Sequence, residues 1–180
     1  MALFYTGKGD KGVSRVGKKN YPKDSPILEA LGDLDELNSF LGLVRSTVKD
    51  KKLAAGLQTV QQHLFIVQAQ IAVLMFPEFK SPELKKEKVQ WLEREIDIIE
   101  KKIKPKRGFV VAGATATSAW LDVARAIARR AERTVTKFHR AYPLSREIIS
   151  YLNRISSYLY ALARLESASR KIREQKPKYR

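Results

Sequence analysis

Five stretches of this 180-residue chain repeat apolar residues at spacings of three and four, with short proline- or glycine-marked breaks between them. That period is the one an α-helix needs to bury a single face. The first stretch, 26–48, carries Leu28, Leu31, Leu34, Leu37, Phe40, Leu41 and Val44. It starts with Ser25 as N-cap, Pro26 in the first turn and Glu29 behind it, a sound helix start. The second, 53–76, carries Leu53, Leu57, Val60, Leu64, Val67, Ile71 and Leu74, and Pro77 ends it. Ser81-Pro82-Glu83 restarts a third, to about 102, with Leu84, Val89, Leu92, Ile96, Ile99 and Ile103 inside. Thr115, Thr117 or Ser118 caps a fourth that lasts to about 141. Pro143 separates it from a fifth, 144–172, with Ile148, Tyr151, Leu152, Ile155, Tyr158, Leu159 and Leu162 inward. Five helices with short connections and no convincing sheet predict an all-α five-helix bundle. Residues 1–172 form one domain, within which 1–24 read as loop with at most a short strand. Residues 173–180 are a basic tail expected to be disordered.

The fourth helix carries an unusual load. Beside its apolar stripe of Leu121, Ala124, Ala128, Ala131, Val135 and Phe138 run Arg125, Arg129 and Arg133, each one turn above the last. Like charges at that spacing cost roughly 0.2–0.5 kcal/mol per pair. Arg130 sits beside them, and Glu132 alone opposes them on the helix. Either carboxylates elsewhere answer these arginines, or a multiply charged anion does. Asp33, Asp35 and Glu36 in the first helix are a solvated face or those partners. Asn153 falls among inward-facing residues of the fifth helix, where an unpartnered amide costs roughly 1–3 kcal/mol. His63, beside the core of the second helix, reads as a satisfied structural residue, with no second ligand at metal spacing. Phe109, in a glycine-flanked loop, reads as a plug for the bundle end in preference to a residue held against a ligand.

The formal net charge is +16. Thirteen of those charges lie in 1–25, 100–107 and 167–180, all at ends or in a connection. Such a field attracts anions: nucleotides, nucleic acid or an acidic membrane surface. The alternative reading is solubility, or the Lys/Arg/Glu-rich surface common in heat-stable proteins. Gly7, Gly9 and Gly12, interleaved with Lys8 and Lys11, suit a backbone anion nest without forming a P-loop. There is no cysteine, and therefore no disulfide or thiolate chemistry. No signal peptide and no apolar run long enough to span a bilayer is present, so a cytoplasmic protein is expected. No nucleic-acid motif or aromatic–basic interleaving supports a nucleic-acid partner.

Several segments together resemble the PduO-type ATP:cob(I)alamin adenosyltransferases. They are Y-T-G-K-G-D-K-G at 5–12, against the family's Y-T-x-x-G-D-K-G, and L-G-D-L-D-E-L-N-S-F-L-G at 31–42. F-V-V-A-G follows at 109–113, V-A-R-A-I-A-R-R-A-E-R at 123–133, and Y-L-N-R-I-S at 151–156. The resemblance implies a five-helix bundle assembled as a homotrimer with active sites between subunits. ATP, with Mg²⁺, would be gripped by the N-terminal loop of one subunit and the arginine helix of the next. The cobalt of cob(I)alamin would attack the 5′ carbon of ATP, forming adenosylcobalamin and releasing triphosphate. A cobalamin reductase would be a further partner, since Co(I) must be supplied. Carried over by motif, Thr6, Gly9, Asp10, Lys11, Gly12 and Ser14 would form the triphosphate loop, and Lys23 would reach the nucleotide. Asp35 would pair across the interface with Arg125. Arg129 would face the phosphates, with Glu132, Arg133 and Asn153 contacting ATP. Phe109 would lie against the corrin and exclude its lower axial base, leaving cobalt four-coordinate. Departures are Gly7-Lys8 in the phosphate loop and Ala112 in place of a proline common after Phe109; the basic tail has no family role. The competing readings are a non-catalytic nucleotide-binding bundle and a charge-driven nucleic-acid binder.

Overall fold

The structure, a computed structural model, describes residues 4–5, 7–16, 19–76, 78–105 and 108–179. A short hairpin precedes five helices: β1 (Val13–Val16) and β2 (Lys19–Pro22) pair antiparallel, with Val13 opposite Pro22 and Ser14 opposite Tyr21. Then come α1 (Pro26–Thr47), α2 (Lys51–Ala72), α3 (Lys86–Ile103), α4 (Ala116–Ala141) and α5 (Arg146–Ser169). Helix α4 packs against both α1 and α5; α2 packs on α1 and also touches α5, and α3 packs on α5.

Local chemistry sets most of the boundaries. Asp50 caps α2, its carboxylate accepting from the backbone N–H groups of Lys52 and Leu53, so the helix begins two residues before its first apolar position. A reciprocal cap opens α4: Thr115 Oγ1 accepts from Ser118 N–H at 2.9 Å and Ser118 Oγ accepts from Thr115 N–H at 2.8 Å. Ser145 caps α5. The expected start of the third helix at Ser81-Pro82-Glu83 is wrong. Residues 81–85 are not helical, because Leu84 is used as a buried anchor whose N–H donates to Gln70 Oε1 at 3.2 Å. Helix α3 starts only after it. The proposed stop at Pro77 lies outside the described residues; α2 itself gives way to turns at 73–75.

The apolar stripe of α4 is buried throughout, from Leu121 to Phe138, against Leu34, Leu37 and Leu41 of α1 and Tyr151, Ile155 and Leu159 of α5. His63 shares a 2.8 Å hydrogen bond with the Tyr151 hydroxyl. Burial first, then the nearby Lys88 charge, lowers its pKa to about 4, which keeps it neutral at pH 7. It is a core residue, as expected. The Tyr158 hydroxyl approaches Gly56 so closely that a Cβ there would lie 2.3 Å from it. Gly56→Ala should therefore destabilise the bundle by about 1–3 kcal/mol, outweighing alanine's helix preference. Adding Tyr158→Phe should recover most of the loss in a denaturant titration; a single variant as stable as wild type would show that α2 and α5 yield.

Candidate active site

The arginine ladder of α4 is divided by its surroundings. Arg130 answers the acidic cluster of α1: it pairs with Glu36, and its Nε lies 3.8 Å from Asp33 Oδ1. Thr134 Oγ1 donates to the other Asp33 oxygen at 2.6 Å. Asp35 stays exposed on the same helix without an ion pair among the described residues. Arg125 is half-buried, with its Nε 3.6 Å from Asp122 Oδ1 and no hydrogen bond on that nitrogen. Arg129 and Arg133 are exposed and make no hydrogen bond or ion pair among the described residues. The ladder thus contains one neutralised arginine, one partly engaged and two unspent.

Two cavities meet at Arg129. One, of about 600 Å³, is lined by Arg129, Arg133, Lys137 and Arg140, with Glu132 and Asn153 at its edge. Four cations facing one carboxylate suit a polyanion, and arginine forks match phosphate oxygens in pairs. Asn153 is exposed, contrary to the expectation of an inward amide. The helical period buries Tyr151, Leu152 and Ile155 and turns 153 outward. Its Nδ2 donates to Glu132 Oε1 at 2.8 Å, and its Oδ1 accepts from Arg154 at 2.6 Å. Lys137 continues the ladder at the same spacing of four and Arg140 follows three residues later, a signal already present in the sequence.

The second cavity, about 340 Å³, lies beyond Arg125 and Arg129 and is walled by Ile96, Ile99, Ile103 and Tyr160. It adjoins a third of about 390 Å³, with which it shares Ile103, Pro105, Tyr160 and Arg164. Phe109 borders that third cavity. It is 78% exposed, so it does not plug the bundle end. A plug needs apolar neighbours on all sides; here the loop between α3 and α4 holds the ring outward. Arg164, which the sequence reading passed over, is buried at the junction of these cavities. Its only sequence signal is a charge inside the apolar run Y-A-L-A-R-L.

In the N-terminal loop, Gly7 and Gly12 take positive φ (65° and 72°), where a side chain would be strained. Asp10 N–H donates to the Gly7 carbonyl, Gly12 N–H to the Gly9 carbonyl, and Lys23 N–H to the Gly12 carbonyl at 3.0 Å. The Lys23 side chain lies against Gly9, its Nζ 3.2 Å from where a Cβ would stand. The loop thus brings Gly9, Asp10, Gly12 and Lys23 together, with Lys11 exposed and Ser14 half-buried in β1. Thr6 lies outside the described residues. No cluster of three or more His, Cys, Asp or Glu among the described residues forms a metal cage. Mg²⁺ is usually held by one or two carboxylates plus substrate phosphates; Asp10, in a loop that also carries lysine, is the residue that fits that arrangement.

A family description, cobalamin adenosyltransferase, matches residues 4–166. The chain belongs to the cobalamin adenosyltransferase family. It is 34% identical over 169 residues to a corrinoid adenosyltransferase of Bacillus subtilis, covering 92% of this chain and 86% of that one. It is 34% identical over 170 residues to the corrinoid adenosyltransferase PduO of Salmonella typhimurium, covering 93% of this chain but only half of that longer protein. A variant PduO-type ATP:corrinoid adenosyltransferase from Lactobacillus reuteri, solved in complex with cobalamin and ATP, superposes with a TM-score of 0.90 at 29% identity, over 97% of this chain and 96% of that one. No helix among the described residues is long and apolar enough to cross a membrane.

Proposed function

We propose that this chain transfers the 5′-deoxyadenosyl group of ATP to the cobalt of a reduced corrinoid, and that it does so at a site completed by a neighbouring subunit. The observation that carries the reading is Arg129. It is exposed and unpaired among the described residues, and it stands where a cationic cavity meets a partly apolar one. Triphosphate bound on the cationic side would set the nucleotide's 5′ carbon toward the side bordered by Tyr160 and, further on, Phe109. Co(I) then attacks that carbon. A cobalt–carbon bond forms, the carbon–oxygen bond to the triphosphate breaks, and the electron pair leaves with triphosphate, taking cobalt formally to Co(III).

The protein's share is position and electrostatics. Arg129, Arg133 and Lys137 stabilise charge gathering on the leaving group. Glu132 and Asn153 hold each other at the cavity edge, where an amide and a carboxylate can meet the nucleotide. The N-terminal loop, with Lys23 against Gly9, supplies a second set of phosphate donors. Asp35, exposed on α1, and Arg125, half-buried on α4, are suited to pair between subunits of a trimer. Phe109 is exposed and free to press on a corrin face, which removes the lower axial ligand and eases reduction to Co(I) by a separate reductase. Mg²⁺ bound to triphosphate, with Asp10 beside it, would neutralise part of the phosphate charge.

The test is an absorbance assay with cob(I)alamin and ATP, alongside sedimentation of the protein. The expected result is adenosylcobalamin formation, equimolar triphosphate and a trimer. ATP binding without any change in the cobalt spectrum would leave a nucleotide-binding bundle and overturn the proposal.

A further inference from the structure

Behind Phe109 lies a run of alternating charges that the reaction itself does not use. Asp122 of α4 accepts a 2.6 Å hydrogen bond from Arg164 Nη2 of α5, and the side chains are 7% and 6% exposed. Arg164 Nε stands 3.1 Å from Glu174 Oε1, in the segment after α5, a close charge pair whose alignment does not make a hydrogen bond. The Tyr160 ring covers one face of the guanidinium, 4.8 Å from its centre. A buried guanidinium carries a large desolvation cost, so removing one of its carboxylate partners leaves charge uncompensated. The segment that the sequence predicts to be disordered is therefore tied to the bundle through Glu174.

The next residue passes that tie on. The Gln175 carbonyl accepts from Val111 N–H at 2.8 Å, two residues beyond Phe109. The loop holding Phe109 has Gly108 and Gly113 at its ends, with φ of 128° and 97°. Glycines at both ends give it wide conformational freedom unless something outside restrains it. We infer that Asp122, Arg164 and Glu174 form a latch that positions the Phe109 loop for the corrinoid, making Glu174 a positioning residue for adenosyl transfer. This rests on the functional reading above. Glu174 bears on the corrinoid side, since Arg129, Arg133 and Lys137 on α4 have no contact with it among the described residues.

The test compares Glu174→Gln and Glu174→Lys with Lys178→Gln, which alters tail charge without touching the latch. Amide exchange at Val111 should accelerate about tenfold in both Glu174 variants, as expected when one charge partner of a buried guanidinium is lost. The KM for cob(I)alamin should rise by a similar factor, about tenfold, while the KM for ATP stays within about twofold. Lys178→Gln should match wild type in all three. Unchanged Val111 exchange in Glu174→Lys overturns the latch. So does faster exchange with an unchanged corrinoid KM, or an equal effect from Lys178→Gln. The exchange measurement needs no turnover: a wild-type chain inactive on cob(I)alamin would sink the functional proposal, while Val111 exchange would still decide whether the latch exists.

Discussion

Arg129→Ala is expected to reduce adenosyl transfer by about a thousandfold or more while leaving the fold intact. Fixed cations facing a phosphoryl leaving group are typically worth 10³–10⁵ in rate, and single preorganised donors about 10²–10³. The cost to stability should stay within about 0.5 kcal/mol, because Arg129 is exposed and makes no hydrogen bond or ion pair among the described residues. That separation makes the experiment decisive, since lost activity cannot be put down to unfolding. Arg129→Lys should recover only part of the loss, because an ammonium restores the charge and not the paired donors. Steady-state turnover with saturating ATP, together with a thermal melt, reads both quantities. Near-normal kcat in the alanine variant would remove Arg129 from the phosphate site and shift the role to Arg133 or Lys137.

Phe109→Ala should divide two assays that the wild type links. With Co(II) corrinoid and an external reductant, turnover is expected to fall about a hundredfold, equivalent to roughly 2.7 kcal/mol on the barrier. With corrinoid already reduced to Co(I), the fall should be far smaller. The reason is that an apolar ring against the corrin excludes the axial base, and the absence of that base is what makes cobalt easier to reduce; the attack on carbon does not need the ring. The electron paramagnetic resonance signal of four-coordinate Co(II) should vanish in the variant. Stability should not change, since the ring is 78% exposed. An equal loss in both assays would mean that Phe109 only binds the corrinoid.

These two residues also mark how far the sequence could be read. The stripe from Leu121 to Phe138 predicted α4 and its buried face, because helical period is a local property. The same period placed Arg129 and Arg133 outside that face. It could not say which arginines have partners. Asp33 and Glu36 turned out to satisfy Arg130, which depends on the register between α1 and α4 and on nothing within either helix. Phe109 was read as a plug because an aromatic beside glycines is ambiguous until the loop is placed. Asn153 was placed inward through a local misreading of the period, and the structure turns it out to Glu132. The start of the third helix was missed because Ser81-Pro82-Glu83 has the chemistry of a helix start, while the packing value of Leu84 as a buried anchor is non-local.

By itself, then, the sequence determined the number of helices, their inner faces, the excess of positive charge and the motifs that mark the family. All of these are set by side chains a few residues apart. The tertiary structure alone decided which cations are unspent, where the cavities meet, and that the basic tail is tied back through Glu174 to a buried arginine. Most of those depend on groups far apart in the chain, such as Asp122 with Arg164 at 42 residues and Glu36 with Arg130 at 94, brought together by helix packing. The physical reason is that a charge's role follows from what neutralises it, and neighbours across a bundle are not written in local spacing.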